Sequence, residues 1–456
     1  MDNDTLKNSN DKGKVDAEPT KDFFISMLTR DLDLQDAIIE LIDNSIDGIK
    51  RNGESNYENY SIILTLNKDT FSIEDNCGGI PIDDAREYAF KFGKPSKYRK
   101  EVETTGIFGI GMKRSLFKIG RFFEVDSVAE DSDFLLKVNV SEWAENNEWN
   151  FPFDAYSDAG TVAHEKSDRG TKIKVTNLYD GVANSLKSNI FVNSLVAKVR
   201  RRESYPISKG LKITINGLTI QHDEVAMICD SDLAPYKKTL IYKPNETQVV
   251  TIRVVAGMTK RNSEGRWEPD KAGWYIYCNN REVVSADKTQ LTTWYTEDGV
   301  KFHNKYAGFR GMVFFNSTNP ELLPWNTSKN NVDSSADVFQ FALAEIKNAF
   351  DKVKKEFDKL EELEDEQKEK IVERLQKMNS ISVNFYSSDN MPYSYDEKSI
   401  EKIVEDAQKE PMVTVSYKVG KTVLEKAKSS LHATSAKEVG KETFNFYCMM
   451  EGIDNA

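Results

Sequence analysis

Apolar residues recur at helical spacing through residues 22–50, where Leu41, Ile42 and Ile46 form a stripe, so a helix is predicted there. Period-two alternation follows. SIILTLN (61–67) and TFSIEDN (70–76) read as a hairpin closed at Lys68-Asp69, and the second strand stops at Asp75 before turning through Gly78 and Gly79. A short helix at 83–92, a lysine-rich loop and TTGIFGIGMKRSLFKIG (104–120) come next, the last a glycine run entering a helix near Met112. RFFEVDSVA (121–129), DFLLKVNV (133–140) and GTKIKVTNL (170–178) are strands. A helix NIFVNSLVAKVRRR (189–202) then precedes strands LKITING (211–217), VVTIRVVAG (249–257), GWYIYCNNREV (273–283) and GMVFFNS (311–317), and Pro324 closes this run. Between 337 and 378 the pattern is helical, with Ile346, Phe350, Val353, Phe357 and Leu360 spaced as a heptad seam that Glu364 and Gln367 interrupt before Ile371. Packing of this stretch against the body of the protein stands beside a coiled coil as its use. Residues 381–456 are polar and receive no element.

This order predicts an α+β fold, with helices on one face of a mixed sheet. The expected organisation is a disordered leader over 1–20, a first unit over 21–185, a second over 186–335, a helical segment over 336–380 and a C-terminal region of unassigned role over 381–456.

Composition changes this picture little. No segment is apolar and long enough to span a bilayer, and the first residues carry no export signal, so no membrane partner is expected. Cys77, Cys229, Cys278 and Cys448 lie without CxxC or Cys/His pairing, which argues against a disulfide framework and a structural zinc. A reducing compartment follows, cytoplasmic or, in a eukaryote, nuclear. A net charge of −12 argues against nucleic-acid binding by bulk electrostatics. Two basic clusters survive that average, KFGKPSKYRK (91–100) and KVRRR (198–202); solvated surface is the plain use of the second, and contact with DNA the alternative.

The candidate chemistry begins in ELIDNSID (40–47). Glu40 and Asn44 share a helix face with Asp47 one turn further on, beside the apolar stripe. A solvated polar face is the ordinary explanation of such a column. The alternative is a site in which the acid holds a water and the amide a magnesium ion, which takes oxygen ligands and keeps several waters. That alternative needs phosphate close by. Gly106, Gly109 and Gly111 supply a place for it, because a glycine-rich loop entering a helix presents free N–H groups and the positive end of the dipole, with Lys113 and Arg114 in the first turn. The spacing matches neither the GxxxxGK[ST] loop nor the G-x-G-x-x-G order.

A helix with Glu40 and Asn44, a strand ending in Asp75 with Gly79, and a loop with Gly106, Gly109 and Gly111, in that order, resemble the three nucleotide-binding boxes of the GHKL superfamily, the ATPases of gyrase, ninety-kilodalton heat-shock chaperones, histidine kinases and MutL. Within it, ELIDNSID, EDNCGGIP and GIFGIGMKRS are similar to the MORC and MutL branch, and Gly170-Thr171 to its strand near the adenine. One departure is that Cys77 stands where the second box usually has its first glycine. The resemblance implies a Bergerat-type α/β sandwich for the first unit and a transducer domain of ribosomal-protein-like fold for the second. It implies that Glu40 is the general base, that Asn44 holds Mg2+, and that Asp75 accepts from the adenine amine. ATP would then lie against Asn44, Asp47, Asp75, Gly79, Ile80 and Thr171, and its phosphates against Gly106, Ile107, Phe108, Gly109, Ile110, Gly111, Met112 and Lys113. Residues 92–105, with Lys94, correspond to a mobile ATP lid, and Lys329 in LLPWNTSKNNVD (322–333) to a transducer lysine that reaches the γ-phosphate.

The function this implies is an ATP-driven switch that hydrolyses ATP and pairs two protomers, acting on DNA or a partner protein in genome maintenance or prokaryotic antiviral defence. The alternatives are a chaperone of the ninety-kilodalton class, set back by the short stretch after 335, and an ATP-binding scaffold subunit. A histidine kinase would need a phosphoacceptor histidine ahead of the ATPase, and none precedes His164. A MutL-type nuclease would need a metal cluster in 337–456, and none is legible there.

Overall fold

A computed structural model describes residues 19–54, 56–93, 110–222, 225–294, 301–326, 329, 331–382, 391–408 and 414–453. Two compact units follow from it, 1–404 and 405–456.

In the first unit, helix α1 (Lys21–Arg30) leads to α2 (Leu34–Arg51), strand β1 (Ser61–Leu66) and strand β2 (Phe71–Asp75). Helix α2 starts where Asp33 accepts from the N–H groups of Gln35 and Asp36, and it ends with Lys50 and Arg51 at the negative end of its dipole. A turn of helix α3 (Ile82–Asp84) then runs on as a π-helical turn, Ala85–Ala89. After it come α4 (Gly111–Ile119), β3 (Gly120–Val128), β4 (Asp133–Asn139), α5 (Val140–Glu145), β5 (Phe153–Ser157), β6 (Gly170–Leu178), α6 (Asp180–Lys187), α7 (Asn189–Arg202), α8 (Ser204–Ser208), β7 (Lys212–Ile215) and β8 (Leu218–Thr219). The strands form a mixed sheet in the order β5-β4-β3-β6-β2-β1-β7-β8, in which only β1 and β7 run parallel. Ile38, Ile39, Ile42, Ile46 and Ile49 of α2 pack with Leu116 and Phe117 of α4 on the sheet residues Ile62, Leu64, Phe71 and Val125. Each such side chain, fully buried, contributes about 1.5–3 kcal/mol.

The expected boundary at 185/186 falls inside the elements of this first sheet. Leu195 and Val199 of α7 and Ile213 of β7 belong to the same core, because β7 finds its free edge at β1. A helix followed by a strand does not itself say which sheet the strand joins.

A second sheet is built from β9 (Met227–Ile228) onward: β10 (Tyr236–Tyr242), β11 (Val250–Met258), β12 (Gly273–Cys278), β13 (Arg281–Asp287) and β14 (Phe309–Asn316), ordered β10-β11-β14-β12-β13, with β9 pairing separately with β15 (Ser380–Ile381). The expected single strand 273–283 is two. Asn279 and Asn280 both take positive φ, 48° and 68°, and Cys278 pairs with Arg281, which makes a two-residue hairpin turn of the kind asparagine tolerates. The side chain of Asn279 pins that turn, donating to the Ser317 carbonyl and accepting from the Ser317 N–H, both at 3.0 Å.

Helices α9 (Asp337–Glu361) and α10 (Asp365–Lys377) close this second core. All five seam residues, Ile346, Phe350, Val353, Phe357 and Leu360, are buried with Trp294 and Phe309, so the heptad spacing serves a helix lying on its own protein. The smaller unit, taken by itself, contains among the described residues the helices Lys421–Leu431 and Ala436–Met450; His432 in the left-handed region ends the first, and Ser435 caps the second by accepting from Glu438 N–H. Among the described residues, no helix is long and apolar enough to cross a membrane.

Candidate active site

Asp36, Glu40, Asp43 and Asp47 are spaced four, three and four along α2 and share one face. Their exposures are 5, 6, 2 and 4%, so this is not the solvated side of an amphipathic helix. Burying four carboxylates is costly unless each is paired. Later elements bring the cations. Asp36 accepts from Arg202 Nη1 at 2.5 Å and faces Lys198 Nζ at 2.8 Å. Both oxygens of Glu40 accept from Lys329 Nζ, at 2.9 and 3.0 Å. Asp43 accepts from Arg281 Nη1, and Asp47 faces Lys50 Nζ at 3.6 Å.

Lys329 comes 289 residues after Glu40. Its loop is pinned at both ends by the buried Trp325 and Val332, which bridge each other, while Trp325 Nε1 donates to the Pro320 carbonyl at 3.0 Å. Lys329 itself has φ 52°, a left-handed turn closed by its N–H on the Asn326 carbonyl at 3.0 Å. That turn sends the ammonium inward. Burial alone would push the Glu40 carboxyl up, but the Lys329 ammonium, with Arg281 and Arg114 beside it, holds it below the usual carboxylate range.

The start of α4 lies directly on Glu40. A Cβ on Gly111 would come within 1.8 Å of Glu40 Oε1, so only glycine admits the acid there. Ile110, the N-cap, offers no side-chain hydrogen bond. The basic pair after Gly111 divides. Lys113 turns away: its Nζ donates to the Ala89 carbonyl at 2.8 Å over the Phe92 ring, and burial brings its ammonium down to about 7. Arg114 is the residue whose charge reaches Glu40, and its buried Nε has no hydrogen-bond partner among the described residues. Met112 points into the core.

At the other end of α2, Asp75 closes β2. Its Oδ2 accepts from Ser45 Oγ at 2.6 Å, and its Oδ1 from the N–H groups of Cys77 at 2.8 Å and Thr171 at 3.3 Å. Burial nonetheless pushes the Asp75 carboxyl up. Ile80 N–H donates to Ser127 Oγ at 2.7 Å, and that hydroxyl lies 3.4 Å from Thr171 Oγ1, so Asp75, Ile80, Ser127 and Thr171 form one polar cluster. Gly79, at φ 72°, passes so close to β3 that a Cβ would sit 2.0 Å from the Val128 carbonyl. Cys77 fills its box position as a buried residue, its backbone bonded to Asp75 and its carbonyl against Gly48 of α2. The departure at that position is thus built into the packing.

Asn44 lies between the two ends, with a buried Nδ2 that has no partner among the described residues. Either orientation of that amide leaves one polar atom to be satisfied. A hard cation held by the amide oxygen fits this residue, since magnesium needs few protein ligands when phosphates and waters complete its shell. Lys94, Gly106, Ile107, Phe108 and Gly109 lie outside the described residues.

Sequence reasoning missed Asp36, Asp43, Arg281, Ser45 and Ser127. The four-three-four spacing of acids was available, as was the Asn-Asn dipeptide that marks the hairpin delivering Arg281. Nothing local marks Ser127. The KVRRR cluster is largely spent inside the molecule, Lys198 and Arg202 on Asp36 and Arg201 Nε on Glu282 Oε1 at 3.0 Å.

Among known protein families, residues 32–171 fit the model described as "Histidine kinase-, DNA gyrase B-, and HSP90-like ATPase". No curated protein matches the chain. The matched stretch carries α2, the glycines after Asp75, the start of α4 and Thr171, so the part of the chain that holds these residues is similar to the ATPase domains of the GHKL superfamily.

Proposed function

We propose that the chain binds ATP with Mg2+ at this site, hydrolyses it slowly, and uses the terminal phosphate as a switch between two arrangements of Lys329. The observation that carries the reading is the two-point bond from Lys329 to Glu40, at the mouth of the α4 N-terminus. A carboxylate has four lone-pair sites, so Glu40 can hold a water while paired, and it becomes a better proton acceptor when Lys329 leaves for a phosphate. Arg114 and the first-turn N–H groups of α4 receive the phosphate charge. Asn44 would hold Mg2+, which offsets the charge on the phosphate oxygens when bound. Asp75, accepting from the adenine amine, selects ATP over GTP. A triphosphate competes for Lys329 and a diphosphate does not, which is the differential contact a switch requires. Pairing of two copies in the triphosphate state, with DNA or a protein as the object, extends this reading by the resemblance to the MORC and MutL branch.

Phosphate release and calorimetry with a non-hydrolysable ATP analogue test it. Glu40→Gln is expected to bind the analogue and lose turnover by about a hundredfold or more, the scale of general-base loss. Asn44→Ala is expected to lose magnesium-dependent binding, and Arg114→Gln to weaken the triphosphate more than the diphosphate. A wild-type protein that neither binds nor hydrolyses ATP would sink the proposal. Light scattering with and without the analogue decides the pairing: an unchanged mass removes it.

A further inference from the structure

Glu40 and Asp43 are three residues apart on one helix face, so Lys329 has two carboxylates within reach. It bonds both oxygens of Glu40 and leaves Asp43 to another cation. That cation is Arg281, the first residue of β13, aimed by the Asn279-Asn280 turn and held there by the two Asn279 bonds to Ser317. Asp43 and Arg281 are both buried, as are their neighbours Glu40, Lys329 and Glu203. A buried charge that loses its partner is costly to leave alone, which favours pairing with another opposite charge in reach.

We propose that Arg281 is a positioning residue for this site: by holding Asp43 it makes Glu40 the carboxylate that takes Lys329. The role assigned to turnover rests on the function proposed above, but the placement of Lys329 does not. Arg281 acts through which acid the lysine meets. With Arg281 neutral, Lys329 is shared between Asp43 and Glu40 and the approach to the phosphate is lost. With Asp43 neutral, Glu203 and Glu40 are the buried acids left to Arg281, and its turn to Glu40 competes with Lys329. With both neutral, the Glu40–Lys329 pair is alone again.

The test is a charge cycle on the full chain, Arg281→Gln, Asp43→Asn and the double variant, read by steady-state turnover and by crystal structure. Each single variant is expected to lower kcat by about tenfold or more with KM for ATP within about threefold, and the double variant to recover to within about threefold of wild type. In the Arg281→Gln crystal Lys329 Nζ is expected within hydrogen-bond distance of Asp43. A double variant no better than the singles, or a Lys329 still on both oxygens of Glu40 in each single variant, overturns the inference. If Arg281→Gln does not fold, Asp43→Asn decides: Arg281 on Glu40 supports the inference, and an unshared Glu40–Lys329 pair overturns it. If the wild type shows no turnover, the proposed function fails and the crystal structures alone judge the placement of Lys329.

Discussion

Lys113 shows how one side chain can follow a motif in spelling and leave it in space. As the residue after Gly111 and Met112 it looks like a phosphate cation; in the fold its four-carbon stem crosses an aromatic core and its ammonium ends on a backbone carbonyl. Its folded value near 7 lies below its ordinary 10.5. Between those values the unfolded chain carries a proton that the folded chain lacks, so stability rises as pH climbs from 7 towards 10.5 and is lost as pH falls back through 7. Lys113→Met removes this dependence. Urea unfolding at pH 7 and pH 9 is expected to show a wild-type stability that climbs by about 1 kcal/mol per pH unit more than the variant's, given the 1.4 kcal/mol that a full proton is worth per unit. Equal slopes would mean that Lys113 is charged in the fold. Arg114, the neighbour that turns inward to Glu40, could not be told from Lys113 by spelling; which of two adjacent residues faces the acid depends on the angle at which α4 lands on α2.

At the scale of elements, α2 is an acid ladder whose rungs are met by α7, the β13 hairpin and the Lys329 loop. The helix itself was legible, from the Asp33 cap to the basic last turn. Its polar face was not, because burial of a face depends on what covers it. Asp36 tests the ladder away from the chemistry. Asp36→Asn leaves Arg202 without its carboxylate and Lys198 with Asp33 alone, at 3.7 Å, and denaturant unfolding is expected to show a loss of about 3–5 kcal/mol, the range for breaking a buried pair from one side. Adding Arg202→Met should return at least half of that. A single-variant loss under about 1 kcal/mol would show that water reaches the pair. The hairpin at Asn279-Asn280 was missed for a related reason: an uninterrupted apolar run hid a two-residue turn whose signal is backbone tolerance and not hydropathy.

In the first unit the site residues are divided between its two larger cores: the first core holds α2 and α4, and the second holds the loop that carries Lys329. The stability of the second core therefore bears on chemistry in the first. Phe350 of α9 sits 4.2 Å from the ring of Trp294 and 5.3 Å from that of Phe309, centroid to centroid. Phe350→Ala is expected to cost about 3–5 kcal/mol by chemical denaturation, as aromatic deletions in cores do, and to reduce turnover along with it. A turnover unchanged in a variant so destabilised would mean that the Lys329 loop holds its place without the second core.

The sequence by itself determined the class of fold, the helix and strand that carry Glu40, Asn44 and Asp75, and the glycines that close approach demands, because caps, periodicity and backbone tolerance are local properties. It also singled out Lys329, through the resemblance of its loop. The tertiary structure alone decided that the acids of α2 are buried, that Lys113 turns to the Ala89 carbonyl while the charge of Arg114 reaches Glu40, that Ser45 and Ser127 support the Asp75 cluster, and that Arg281 pairs with Asp43. Each of those is a pairing between residues far apart in the chain, and its energy exists only once packing has removed the water between them.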